Sequence, residues 1–213
     1  MRWPALFCAL AAFLLASPAA AQSEEDARAA AAAMIAEAGA AGVFEPAGDA
    51  SGAVQVRHIA SGLVCRFEPG YPRRVVVFDA SVSGAAPGED AACDSGDGAG
   101  ARTLYVTRYP EPRSADAALG FAVAQLRARF PSGVAVETTV EGFEEPDPPL
   151  PDSRTAAFVI QTDRGEAYTR VSVAVIDGWE VKMRYTTWSG AEGVVAAETL
   201  WRETLAQFAA PAP

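Results

Sequence analysis

Residues 168–185 read YTRVSVAVIDGWEVKMRY. Val171, Val173 and Val175 alternate with Ser172 and Ala174. Beyond Asp177-Gly178, the residues Trp179, Val181, Met183 and Tyr185 alternate with Glu180, Lys182 and Arg184. A period of two marks strands with one buried face, so this stretch predicts a β-hairpin at the centre of the core. Two registers compete for it. A two-residue Asp-Gly turn sets Ile176 opposite Trp179 and brings valines and charges onto one face. A three-residue loop, Ile176-Asp177-Gly178, sets Val175 opposite Trp179, Val173 opposite Val181 and Val171 opposite Met183. Glu180, Lys182 and Arg184 then point outward. A one-residue slip exchanges the faces, so the apolar pattern selects the three-residue loop. Such a loop carries a left-handed residue, which predicts positive φ at Gly178.

Working outward, residues 1–21 have the make-up of a secretory leader. Arg2 gives a positive start, residues 6–16 are apolar, and Ala19-Ala20-Ala21 supplies the small residues of a cleavage site. The apolar run is shorter than the ~20 residues that span a bilayer. Cys8 lies inside the run rather than after it, which argues against a lipoprotein signal. No later stretch is long and apolar enough to span a membrane. The expected product, from about Gln22, is an exported protein of the periplasm or the extracellular medium.

The formal net charge is −10, from 17 basic and 27 acidic residues. Loss of Arg2 with the leader makes the remainder more acidic still. A nucleic-acid binder needs a basic face to neutralise phosphates, and no basic cluster appears along the chain. An anionic membrane surface is disfavoured for the same reason. Cys65 and Cys93 remain after the leader. An even pair in an exported chain reads as a disulfide, worth roughly 3–4 kcal/mol in the chain-entropy model. A redox pair favours Cys-x-x-Cys spacing, and a zinc site needs more Cys or His than this chain supplies.

Residues 23–38 predict a helix that starts at Ser23 with acidic residues in its first turn and ends at Gly39. Its alanine-rich side predicts light packing. Residues 42–52 read as loop. Short strands follow at 54–59, 63–67 and 74–79, then a long Gly/Asp-rich loop over 80–100. A strand is expected at 102–109, and a helix at 114–130 capped by Ser114. Strands at 134–140 and 155–162 flank an acidic, proline-rich connection over 141–154. After the hairpin, Ser189 and Glu192 match a capping box opening a final helix. Strands joined by short turns argue antiparallel pairing, and helices gathered on such a sheet make an α+β fold: an antiparallel meander with packed helices, an α/β sandwich. The division is a leader over 1–21, an N-terminal helix and loop over 22–53, and a single domain over 54–210.

This order of elements, with its capped helix at Ser114, its meander over 155–187 and its closing helix from Gly190, resembles the PsbP-like group of exported α/β sandwich domains. That group includes accessory and binding proteins without catalysis. The resemblance therefore implies a binding or accessory role and no active site.

Tests for chemistry point the same way. His58 is the only histidine, and it sits in a strand segment. A hydrolase is the alternative reading. It would use His58 with a partner such as Ser61, or the carboxylates Glu141, Glu144, Glu145, Asp147 and Asp152. No Gly-x-Ser-x-Gly elbow and no phosphate-binding glycine loop accompanies them. Glu89, Asp90, Asp94, Ser95, Gly96, Asp97 and Gly98 have the residue types of a calcium loop without its spacing. Trp179, Trp188 and Trp201 are candidates for lining a ligand groove, though their positions equally suit the core. The expected role is a non-catalytic domain, without cofactor or metal, that binds a protein or a small apolar ligand.

Overall fold

The computed structural model describes residues 18–48, 52–144, 146 and 149–209. Most of the expected leader, and the acidic residues Glu145 and Asp147, lie outside them. Helix α1 covers Pro18–Glu37, so it begins before Ser23. Strands β1 (Phe44–Ala47), β2 (Val54–His58) and β3 (Val64–Phe67) form a small antiparallel sheet in that order. The larger sheet is built from β4 (Arg73–Val77), β5 (Asp90–Gly96), β6 (Gly100–Thr107), β7 (Val134–Val136), β8 (Ser153–Thr162), β9 (Gly165–Ile176) and β10 (Trp179–Thr187). Its seven strands run β4-β5-β6-β10-β9-β8-β7, each pair antiparallel. Helix α2 (Ala80–Ser83) is a single turn, α3 (Ala115–Arg129) follows β6, and α4 (Gly190–Ala209) closes the chain. The α+β class, the antiparallel meander and the Cys65–Cys93 disulfide are as the sequence predicts.

The hairpin register is not. Ile176 stands directly opposite Trp179, Val175 opposite Glu180, Val173 opposite Lys182 and Val171 opposite Arg184. Asp177 and Gly178 both have positive φ, 50° and 81°, the conformation of a two-residue type I′ turn. The prediction for Gly178 holds, and the three-residue loop is corrected. The reason is that the sheet is covered on both sides. Trp179, Val181, Met183 and Tyr185 face the small sheet, α1 and α4. With Leu104, Val106, Phe67, Leu63 and Trp201 they form the main core. Val171 and Val173 face the other way and pack on Ala118 and Ala122 of α3. Alternation therefore does not separate core from solvent, and Glu180 is itself buried, held by Arg113 at 2.7 Å.

Further expectations are corrected. The 80–100 stretch is not a loop throughout, because β5 lies within it and pairs with β4 on one side and β6 on the other. Asp, Ala and Gly have poor strand propensity, but pairing on both edges and burial of Ala91, Ala92 and Cys93 outweigh it. The 42–52 stretch likewise contains β1, an edge strand where Pro46 is tolerated. Strand β7 stops at Val136, short of Val140. Ser189 does not cap α4: its hydroxyl donates to the Ala99 carbonyl at 3.3 Å. Helix α1 packs more firmly than its composition suggests, with Ala27, Ala31, Met34 and Ile35 buried in the main core.

Candidate ligand-binding cleft

The small sheet does not cover the large one completely. Between β3 and α4, over β5 and β6, a cleft of about 710 Å³ remains. Strand pairing sets its floor: Leu104 is opposite Cys93, and Arg102 is opposite Ser95. Arg102 donates from Nη2 to the Arg66 carbonyl at 2.8 Å and from Nε to Ser95 Oγ at 3.2 Å. These bonds fix its guanidinium across the gap between the two sheets. Burial lowers its pKa from the ordinary arginine value, and the carboxylates of Asp97 and Glu203 partly offset this. It stays charged.

Gln207 closes one end. Its Oε1 accepts from Val64 N–H at 2.8 Å and its Nε2 donates to the Val64 carbonyl at 3.2 Å. The amide thus satisfies an exposed edge position of β3 as another strand would. Gln55, Glu68 and Thr204 complete the polar wall, with Val64 and Leu200 as apolar patches. Basic, acidic and amide groups share one concave surface of the size that small-molecule sites usually have. Such a wall suits a small polar ligand that carries both charges.

The three tryptophans are not brought together. Trp179 and Trp201 are buried in the main core. Trp179 lies edge-on to His58 with centroids 5.3 Å apart, and Trp201 donates to Ser153 Oγ at 3.2 Å. Trp188 is 40% exposed, with Arg164 lying 5.3 Å from its ring centroid.

His58 does meet Ser61. Nδ1 lies 2.9 Å from Ser61 Oγ and accepts from the Ser61 N–H at 3.2 Å, while Nε2 donates to the Gly88 carbonyl at 3.0 Å. Ser61 Oγ also accepts from the Leu63 N–H at 3.2 Å. His58 is fully buried between Phe44 and Trp179, and its third partner is a carbonyl rather than a carboxylate. This arrangement latches the β2–β3 turn to the segment before β5. Burial lowers the His58 pKa, and the bond to Gly88 opposes that only in part.

The carboxylates of the calcium-like stretch are engaged singly. Asp90 accepts from Thr107 at 2.8 Å, Asp94 pairs with Arg74 at 2.7 Å, and Asp97 Oδ1 accepts from the N–H groups of Ala99 and Gly100 at 2.8 and 2.6 Å. Among the described residues, no group of three His, Cys, Asp or Glu side chains converges as a metal site. No described helix is long and apolar enough to cross a membrane.

Sequence reasoning missed the cleft residues. Arg66 and Arg102 lie on separate strands and meet only because the two sheets stack, and no local spacing announces that. A comparison with protein-family models gives no match, and a comparison with curated proteins gives no relative.

Proposed function

We propose that the chain is an exported, non-catalytic binding domain that holds a small zwitterionic or mixed-charge ligand in the cleft between β3 and α4. The observation that carries this reading is the fixed Arg102 guanidinium at the floor of the cleft, with Asp97 and Glu203 close enough to act on its charge. Export is supported by the leader-like residues 1–21 and by the disulfide, a bond that persists in oxidising compartments. The resemblance in element order to PsbP-like domains supports a binding or accessory role. The lining favours a polar ligand over an apolar one, because the apolar rings of Trp179 and Trp201 are committed to the core.

The test is native mass spectrometry of the protein recovered from the exported fraction without denaturation. A bound small molecule is expected on the wild type and absent from Arg102→Ala and Glu203→Ala. A bare protein mass from every preparation, or a ligand retained equally by both variants, contradicts the reading.

A further inference from the structure

On the opposite side of the large sheet, α3 covers β8 and β9 but leaves part of β6 and β10 open. A second hollow of about 200 Å³ lies there, lined by Tyr105, Gln125, Arg129, Lys182 and Arg184. Lys182 and Arg184 are two residues apart on β10 and project from the same face, and Arg129 reaches them from the last turn of α3. Lys182 Nζ sits 4.3 Å from the Tyr105 ring centroid. The guanidinium groups of Arg184 and Arg129 lie 5.8 and 5.4 Å from the Phe130 centroid.

Three cations therefore share one small hollow in a chain whose net charge is −10. None of the three forms an ion pair with a carboxylate among the described residues. The nearby acids are already committed: Glu180 to Arg113 at 2.7 Å, Asp94 to Arg74 at 2.7 Å and Asp90 to the Thr107 hydroxyl at 2.8 Å. Like charges gathered in a half-buried hollow repel one another and lose hydration. Burial lowers the pKa values of both Lys182 and Arg184; the carboxylates of Glu180 and Asp90 partly offset this at Lys182, while for Arg184 the next cause is the neighbouring Arg129. An anion placed among them relieves both costs.

We propose that this hollow is a site for a tetrahedral oxyanion, as free phosphate or as the phosphoryl group of a small molecule. Its volume admits one such group, and guanidinium forks bind phosphoryl oxygens in pairs while lysine adds a point charge. The hollow opens past Arg129 and Arg184 into a broader surface groove that carries Arg164 and Trp188. The remainder of a phosphorylated molecule would extend there, with Trp188 available for stacking.

The test is a titration of the full mature chain at low ionic strength, followed by amide NMR and tryptophan fluorescence. The probes are inorganic phosphate and phenyl phosphate. The site predicts saturable shifts at Tyr105, Lys182 and Arg184 with either probe. Lys182→Met and Arg184→Gln should each weaken binding by about tenfold or more, with the folded far-UV spectrum unchanged. Equal affinities assign the site to the free ion. Tighter binding of phenyl phosphate with a change in Trp188 emission assigns it to a phosphorylated molecule. Arg127→Gln, on the same helix but outside the hollow, controls for a general charge effect and should leave affinity unchanged. The absence of saturable shifts with both probes, shifts confined to the cleft of Arg66 and Arg102, or equal weakening by Arg127→Gln overturns the proposal.

Discussion

His58 is held neutral by its surroundings. Its Nε2 must carry a hydrogen for the Gly88 carbonyl, and its Nδ1 must keep a lone pair for the Ser61 N–H. Protonation sets a second N–H against that donor, and burial penalises the charge as well. The folded pKa therefore lies below the unfolded value of about 6.5. Below that value the unfolded chain takes up protons that the folded chain refuses, so stability falls as the pH drops through it and is complete above it. His58 is the only histidine, so the slope of the urea midpoint between about pH 7 and pH 5.5 belongs largely to this side chain. In His58→Gln that slope should flatten; an unchanged slope contradicts the latch. Arg170 makes a parallel case. It is 3% exposed on β9, donates to Ser172 Oγ at 3.0 Å, and forms an ion pair with Glu198 of α4. Glu198→Ala strands a buried guanidinium and should cost about 3–5 kcal/mol in chemical denaturation. The double change Arg170→Met with Glu198→Leu should recover much of that loss.

At the scale of elements, α4 is positioned by close approach. A Cβ on Gly193 would stand 2.3 Å from Thr187 Cγ2, and Thr187 is fully buried, donating to the Ala99 carbonyl. Gly193→Ala should destabilise by about 2 kcal/mol although alanine is the better helix former. Thermal unfolding measures it, and a raised melting temperature contradicts the packing. The hairpin shows how far local reading reaches. The Asp-Gly pair announces its turn and the positive φ of Gly178, because that chemistry is contained in two residues. The register was not legible, since Lys182 and Arg184 read as solvent-facing until α3 is seen to pack beside them. Strand β5 was invisible for a related reason: Ala91, Ala92 and Cys93 become strand residues through neighbours contributed by β4 and β6. The same limit hid both candidate sites. Each is assembled from strands and a helix far apart along the chain, whereas Ser114 capping α3 at Ala117 N–H is a short-range event and was readable.

At the scale of the molecule, Cys65 on β3 and Cys93 on β5 join the small sheet to the large one across 28 residues. The pair was legible because only two cysteines lie beyond the leader-like residues 1–21. Replacing both with serine should cost about 3–4 kcal/mol, read as a lowered denaturant midpoint. The same staple ties the β3 wall of the cleft to its β5 floor, so the variant should also weaken the binding proposed at Arg102. The most direct test of that proposed site is hydrogen exchange of the protein with and without a small-molecule extract of the cells that produce it. Slowed exchange is expected across β3 and along residues 200–207 of α4, and not in the Arg102→Ala variant. Exchange unchanged in those two segments, or slowed equally in Arg102→Ala, contradicts the assignment of the cleft.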